Sequence, residues 1–180
     1  MSGTGASTKT TNAEIQKQVA ALKDPDIDKR HAAVSALKQC GEPAARPLVA
    51  ALANAGNNDE RWYIAIALSR IGEPAVIPLI IAMEKNADRE FRKYAAAALG
   101  EIGEPAVDNL IDGMASDDRE LRGFLAQALC RIGKPAVEQL TRRLDDPDEI
   151  IRQCVTLTLW QMGENGLAEV VRKVEEEKTS

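Results

Sequence analysis

The sequence predicts an all-α fold: a solenoid of five stacked helical hairpins preceded by one capping helix, about eleven helices in all. Three observations carry that expectation. A short motif recurs as Gly41-Glu42-Pro43-Ala44, Gly72-Glu73-Pro74-Ala75, Gly103-Glu104-Pro105-Ala106 and Gly133-Lys134-Pro135-Ala136, then in decayed form as Gly163-Glu164-Asn165-Gly166. The glycines are separated by 31, 31, 30 and 30 residues, a near-constant period that marks a repeat architecture. Ahead of every glycine, apolar residues return at intervals of three and four, the spacing of one face of a helix.

The first helix of each unit is bracketed by its own chemistry. Four residues before each glycine stands Leu37, Leu68, Leu99, Leu129 or Leu159, and five before stands Ala36, Ala67, Ala98, Ala128 or Thr158. Eight before come Ala33, Ile64, Ala95, Leu125 and Val155; one before come Cys40, Ile71, Ile102, Ile132 and Met162. The glycine is the expected C-cap, because a residue without Cβ enters the left-handed region at little cost. Fifteen residues before it, Asp26, Asn57, Asp88, Asp118 and Asp148 are the expected N-caps, short side chains that accept from first-turn amides.

A second helix follows the motif proline, which costs little in a first turn. Its apolar columns are Leu48, Leu79, Leu110, Leu140 and Val170, then Leu52, Met83, Met114, Leu144 and Val174. Pro47 and Pro78 sit deeper and predict a late start or a kink. Before the first unit, Thr11 and Glu14 read as a capping box opening a lone helix with Ile15, Val19 and Leu22. The run Glu175-Glu176-Glu177-Lys178 reads as a solvated end. Neither helix of a hairpin buries its stripe alone, so the units stack into one continuous core. Residues 1–10 read as a flexible tail and 11–178 as one repeat domain, with units at about 24–53, 54–85, 86–115, 116–145 and 146–177.

Composition narrows the function classes. The chain has 180 residues, 44% hydrophobic but only 3% aromatic, and alanine and leucine suit close helix–helix contact. A net charge of −5 argues against general affinity for phosphate backbones or anionic membranes. No apolar run reaches membrane-spanning length, and Met1 to Thr10 lack the apolar stretch of a secretory signal. Cys40, Cys130 and Cys154 form no CxxC pair and are odd in number, which fits a reducing cytoplasm.

The pattern Asp-x-x-x-Arg-x-x-Ala-x-x-Ala-Leu-x-x-Ile-Gly-Glu-Pro-Ala-Val resembles the HEAT-like repeat of the phycobilisome-lyase type over roughly residues 24–174. The resemblance implies a right-handed α-α superhelix whose second helices line the concave face. It does not select a function, since similar proteins include bilin lyase subunits, deoxyhypusine hydroxylase, a class of DNA glycosylase and plain scaffolds.

Arg30, Arg61, Arg92, Arg122 and Arg152 stand eleven residues before the glycines. They could suggest a phosphate ladder. Each lies one turn after an N-cap, so the structural reading is preferred: a ladder pairing these arginines with Asp26, Asp88, Asp118 and Asp148, or with the next unit's acid. One histidine, His31, is too few for a His-ligated metal centre or a His-based nucleophile. Paired acids such as Asp117-Asp118 and Asp145-Asp146 fall in turns. No metal, cofactor or catalytic residue is therefore expected. The outward second-helix positions are basic only near Arg142-Arg143 and Arg172-Lys173, where Glu138 and Glu169 dilute them, so a nucleic-acid partner is disfavoured.

Surface recognition of another protein remains, and two patches are its candidates. On the second helices Pro47, Ala50, Ile77, Pro78 and Ile81 form an apolar strip that the hairpin core does not need. On the first helices Trp62 and Ile66 project outward in unit two, as Leu157 and Trp160 do in unit five. The expected function is a non-catalytic adaptor, monomeric or homodimeric. The alternative is a subunit of a bilin lyase-like or cofactor-protein assembly factor.

Overall fold

The computed structural model describes residues 11–179, except for the side chains of Asn165, Lys173, Val174 and 176–179. The expected tail 1–10, the core position Val174 and most of the charged C-terminal run therefore lie outside the described residues. Among the described residues there are eleven α-helices and no strand. Helix α1 (Asn12–Ala21) stands alone, and five hairpins follow. They are α2 (Ile27–Cys40) with α3 (Glu42–Ala53), α4 (Asn58–Ile71) with α5 (Val76–Lys85), and α6 (Arg89–Ile102) with α7 (Val107–Gly113). The last two are α8 (Arg119–Ile132) with α9 (Lys134–Arg142), and α10 (Glu149–Gln161) with α11 (Glu164–Thr179).

The punctuation explains these boundaries. The side chains of Asp26, Asn57, Asp88, Asp118 and Asp148 each accept from an amide in the first turn of α2, α4, α6, α8 and α10. At the other end the motif glycines all have positive φ, between 64° and 83°. That left-handed step turns the chain from the first helix into the second. The leucines at 37, 68, 99, 129 and 159 are fully buried, as are the second-helix residues Leu48, Leu79, Leu110 and Leu140. Full burial of one such side chain is worth roughly 1.5–3 kcal/mol. Helix α1 packs on both α2 and α3 through Ile15 and Val19, covering the open end of the first hairpin.

Three local expectations need correction. Only half of the capping box forms: Thr11 Oγ1 accepts from the Glu14 amide at 3.3 Å, but the Glu14 carboxylate accepts from Gln18 Nε2 at 2.7 Å instead of returning to Thr11. The column Cys40, Ile71, Ile102, Ile132 and Met162 is half-buried, since it sits where each helix meets its exit turn. The deeper prolines do not decide where second helices begin. A 3-10 turn, Glu73–Ala75, delays α5 ahead of Pro78, but Glu104–Ala106 delays α7 equally, where Asn109 holds the corresponding place. Pro47 lies inside α3.

One departure from the repeat has a plain cause. Buried alanines at 44, 75, 106 and 136 give way to Gly166 in the last unit. A Cβ on Gly166 would stand 2.2 Å from the Leu159 carbonyl oxygen, so α10 and α11 meet more closely than a methyl group allows.

Candidate functional site

The five hairpins form two rows of helices, and the row α2, α4, α6, α8 is the more closely spaced. Small side chains permit the approach, among them Ala65, Ala96 and Gly100, all buried. Across the solvent-facing side of this row runs a groove of about 670 Å³, bounded by α4, α6 and α8. Helix α4 supplies one wall, with Trp62, Ile66, Ser69 and Arg70 at the i, i+4, i+7 and i+8 spacing of a single helix face. Alanines 96, 97 and 98 of α6 contribute small side chains in the middle, flanked by Lys93 and Tyr94. Gln127, Ala128 and Arg131 of α8 close the far side.

The groove combines an exposed aromatic and a floor of buried alanines with charged side chains at its rim. Trp62 is 54% exposed, whereas Ile66 is only half-buried and packs partly on the core. Lys93 Nζ stands 5.6 Å from the Tyr94 ring centre, within cation–π range, and 3.4 Å from the Glu90 carboxylate. Arg131 directs both Nε and Nη2 at Glu101 Oε1, at 2.8 and 2.7 Å, and so ties α8 to α6. Gly100 makes that tie possible, since a Cβ there would lie 2.6 Å from Arg131 Cδ. Arg70 has no hydrogen-bond or ion-pair partner among the described residues.

The second-helix candidates fall outside this groove. Ile77 and Ile81 of α5 are 57% and 43% exposed, Ala50 is exposed, and Pro47 and Pro78 are half-buried. The sequence offers two docking faces, one on the second helices and one on the first; the groove is cut into the first helices, where small residues leave a trough with Trp62 and Ile66 on its wall. Trp160 is also exposed, with Leu157 beside it on α10, but neither lines the groove. Tyr94, Gly100, Glu101 and Arg131 escaped the sequence reading. Repeat alignment puts Tyr94 in line with Tyr63 and Phe124, and Arg70, Glu101 and Arg131 in a single row, so the signal lay in columns outside the apolar stripes.

The arginine column is less uniform than the expected ladder. Arg92 is buried; its Nε donates to the carbonyls of Met83 and Asn86 at 3.0 and 2.9 Å, and Nη2 reaches Asp118 at 2.7 Å. Its guanidinium, with help from first-turn amides, holds the Asp118 carboxyl below the usual carboxylate range. Arg30 pairs with Asp59 of the next unit and lies 4.3 Å from the Tyr63 ring centre. Arg61 reaches Asn58 at 3.3 Å and leaves Nε without a partner. Arg122 and Arg152 donate to carbonyls of their own preceding turns, at Ser116 and at Asp146 and Pro147. Asp26, Asp88 and Asp148 serve as caps to backbone amides. Arg92, Arg122 and Arg152 secure inter-unit turns, and only Arg92 joins one unit to the capping acid of the next.

Among the described residues no group of three or more His, Cys, Asp or Glu side chains is arranged to hold a metal ion. His31 is exposed and meets the Tyr63 ring edge-on at 5.8 Å. Burial pushes the Cys130 and Cys154 thiols up, away from thiolate chemistry. The C-terminal basic residues are offset locally, Arg142 by Glu138 and Arg172 by Glu169. Among the described residues no helix is long and apolar enough to cross a membrane.

Comparison with known proteins agrees with this architecture. The family description "HEAT repeats" matches four overlapping stretches, residues 15–83, 46–123, 78–160 and 107–178. No curated protein matches the chain. Among solved structures, an engineered protein of the Northeast Structural Genomics Consortium is 21% identical with a TM-score of 0.35, over 86% of this chain and 81% of the other. A designed armadillo repeat protein in complex with the peptide (KR)4 is 18% identical with a TM-score of 0.35, over 91% of both chains. A second engineered protein from the same consortium is 21% identical with a TM-score of 0.31, over 81% of this chain and 47% of the other. The repeat-profile matches extend from α1 into α11, and the chain belongs to the HEAT-repeat family.

Proposed function

We propose that this chain is a non-catalytic docking scaffold that holds a partner protein in the groove across α4, α6 and α8. The observation that carries the reading is the placement of Trp62. A large amphipathic side chain, more than half exposed, stands on the wall of a trough with small alanines at its centre. Such side chains are costly to leave in water and dominate binding when a partner covers them. The tighter spacing of this helix row supports it, in place of the second-helix row that the resemblance implies, as the inner, concave side of the array, because a stack bends toward its more crowded layer.

Ile66 is the second anchor, and Trp160 with Leu157 offers a further exposed contact on α10. Three unpaired, half-buried thiols support a reducing, cytoplasmic setting. The test is comparative capture from the native cell extract. Wild-type chain and Ile81→Glu should retain the same partner, whereas Trp62→Ala and Ile66→Lys should lose it with helicity unchanged by circular dichroism. A partner still held by both groove variants would defeat the proposal.

A further inference from the structure

The lining of the groove also restricts what lies in it. We infer that the occupant is an amphipathic helix carrying a carboxylate that pairs with Arg70; this rests on the docking reading above.

Backbone chemistry argues for a helix. An extended segment brings unpaired amides and carbonyls into a groove and needs side chains to receive them. The lining offers only scattered ones, since Tyr94 and Glu101 stand two turns apart on α6 and Gln127 lies on α8. The Ser69 hydroxyl donates to the Ile66 carbonyl at 2.9 Å, and Glu101 Oε1 accepts from both Nε and Nη2 of Arg131. Gln127 is the one side-chain amide in the lining. A helix satisfies its own backbone and presents only side chains. The dimensions agree. Trp62 to Arg70 spans eight residues, about 12 Å along α4, close to the roughly 10–12 Å diameter of a helix with its side chains. The distance across three neighbouring helices is about 16–20 Å at the usual interaxial separation. That accommodates three to four turns lying across the row.

Charge argues for an acid. The lining holds three cations, Arg70, Lys93 and Arg131, against one carboxylate, Glu101, a balance of +2 in a chain whose net charge is −5. Arg131 is already tied to Glu101, and Lys93 has Glu90 nearby. Arg70 alone offers its guanidinium without breaking an internal pair. It lies two turns from Trp62 on the same helix face, so one partner helix can seat an apolar anchor at Trp62 and Ile66 and a carboxylate at Arg70.

The experiment is a selection on the full chain from a displayed library of amphipathic helices of about 16 residues, roughly 24 Å long. Apolar anchors are varied, and the flank carries either Glu or Lys in equal numbers; a parallel arm carries a central Pro that prevents helix formation. The expected result is enrichment of Glu-flanked over Lys-flanked members by about tenfold, the scale of one good charge-assisted contact. Arg70→Gln should bring that ratio to within about twofold, and the Pro arm should not enrich. Enrichment without a Glu bias, a bias that survives Arg70→Gln, or success of the Pro arm would each overturn the inference while leaving docking intact. Failure of every arm to enrich over an Ile66→Lys counter-selection would overturn the docking reading itself.

Discussion

The second hairpin carries two exposed apolar faces, and they differ in a way that exposure alone does not reveal. On α4, Trp62 and Ile66 look across the small side chains of α6 to Gln127 and Arg131 of α8. On α5, Ile77 and Ile81 are comparable in exposure to Trp62 and more exposed than Ile66, but line no such trough. The second helices are more loosely spaced than the first. A recognition surface is thus a property of neighbouring repeats acting together. One hairpin supplies the anchor, and the next two supply the depth.

That comparison can be broken at several levels. The largest effect is expected beneath the groove, at Leu99, which is fully buried in α6. Leu99→Ala should cost about 3 kcal/mol, read from the urea midpoint, because the cavity it leaves cannot fully collapse. Ile81→Glu on the other face should stay within about 0.5 kcal/mol of wild type. Next in size is the contrast between Arg92 and Arg61, equivalent residues of units three and two. Arg92→Ala removes the donor to two carbonyls and the tie to Asp118, and should cost about 2–3 kcal/mol. Arg61→Ala loses one long hydrogen bond and should cost under about 1 kcal/mol by the same measurement. Equal costs would show the column to be uniform after all.

Binding sharpens the distinction between the faces. Trp62→Ala should weaken capture of a selected helix about tenfold, with thermal stability nearly unchanged. Ile81→Glu should alter that affinity by less than about twofold. The reverse pattern would move the docking site to the second helices. The smallest effect concerns acid. The Asp118 carboxyl is held down chiefly by Arg92, so its folded value lies below its unfolded one. The stabilisation is complete above the ordinary carboxylate range, near about 3.9, and fades as pH falls through the depressed value. Asp118→Asn, which keeps a capping side chain, should therefore show a shallower decline in urea midpoint than wild type below about pH 4.

The repeat architecture was legible because it depends on local rules repeated at a fixed period. The caps, the turn glycines and the buried leucines each follow from one residue type in one column. The groove was harder to read, because its depth comes from the relative placement of α4, α6 and α8. Ala97 and Gly100 carry no functional signal in one dimension; their meaning appears only when Trp62 stands beside them and Arg131 lies across them. The arginine column was overread for the same reason. Its spacing shows that each side chain can reach a cap, but local turn carbonyls compete for the same donors and prevail at Arg122 and Arg152.

The ion pairs are distributed unevenly along the stack. Lys23 and Arg30 reach into unit two at Glu60 and Asp59, while Arg89, Arg92, Arg131 and Arg143 connect units three and four. Among the described residues no such pair joins unit two to unit three, where α4 meets α6 along the groove. Rising ionic strength therefore loosens the seams on either side and leaves the central one, held by apolar packing and the Arg92–Met83 hydrogen bond, nearly as firm as before.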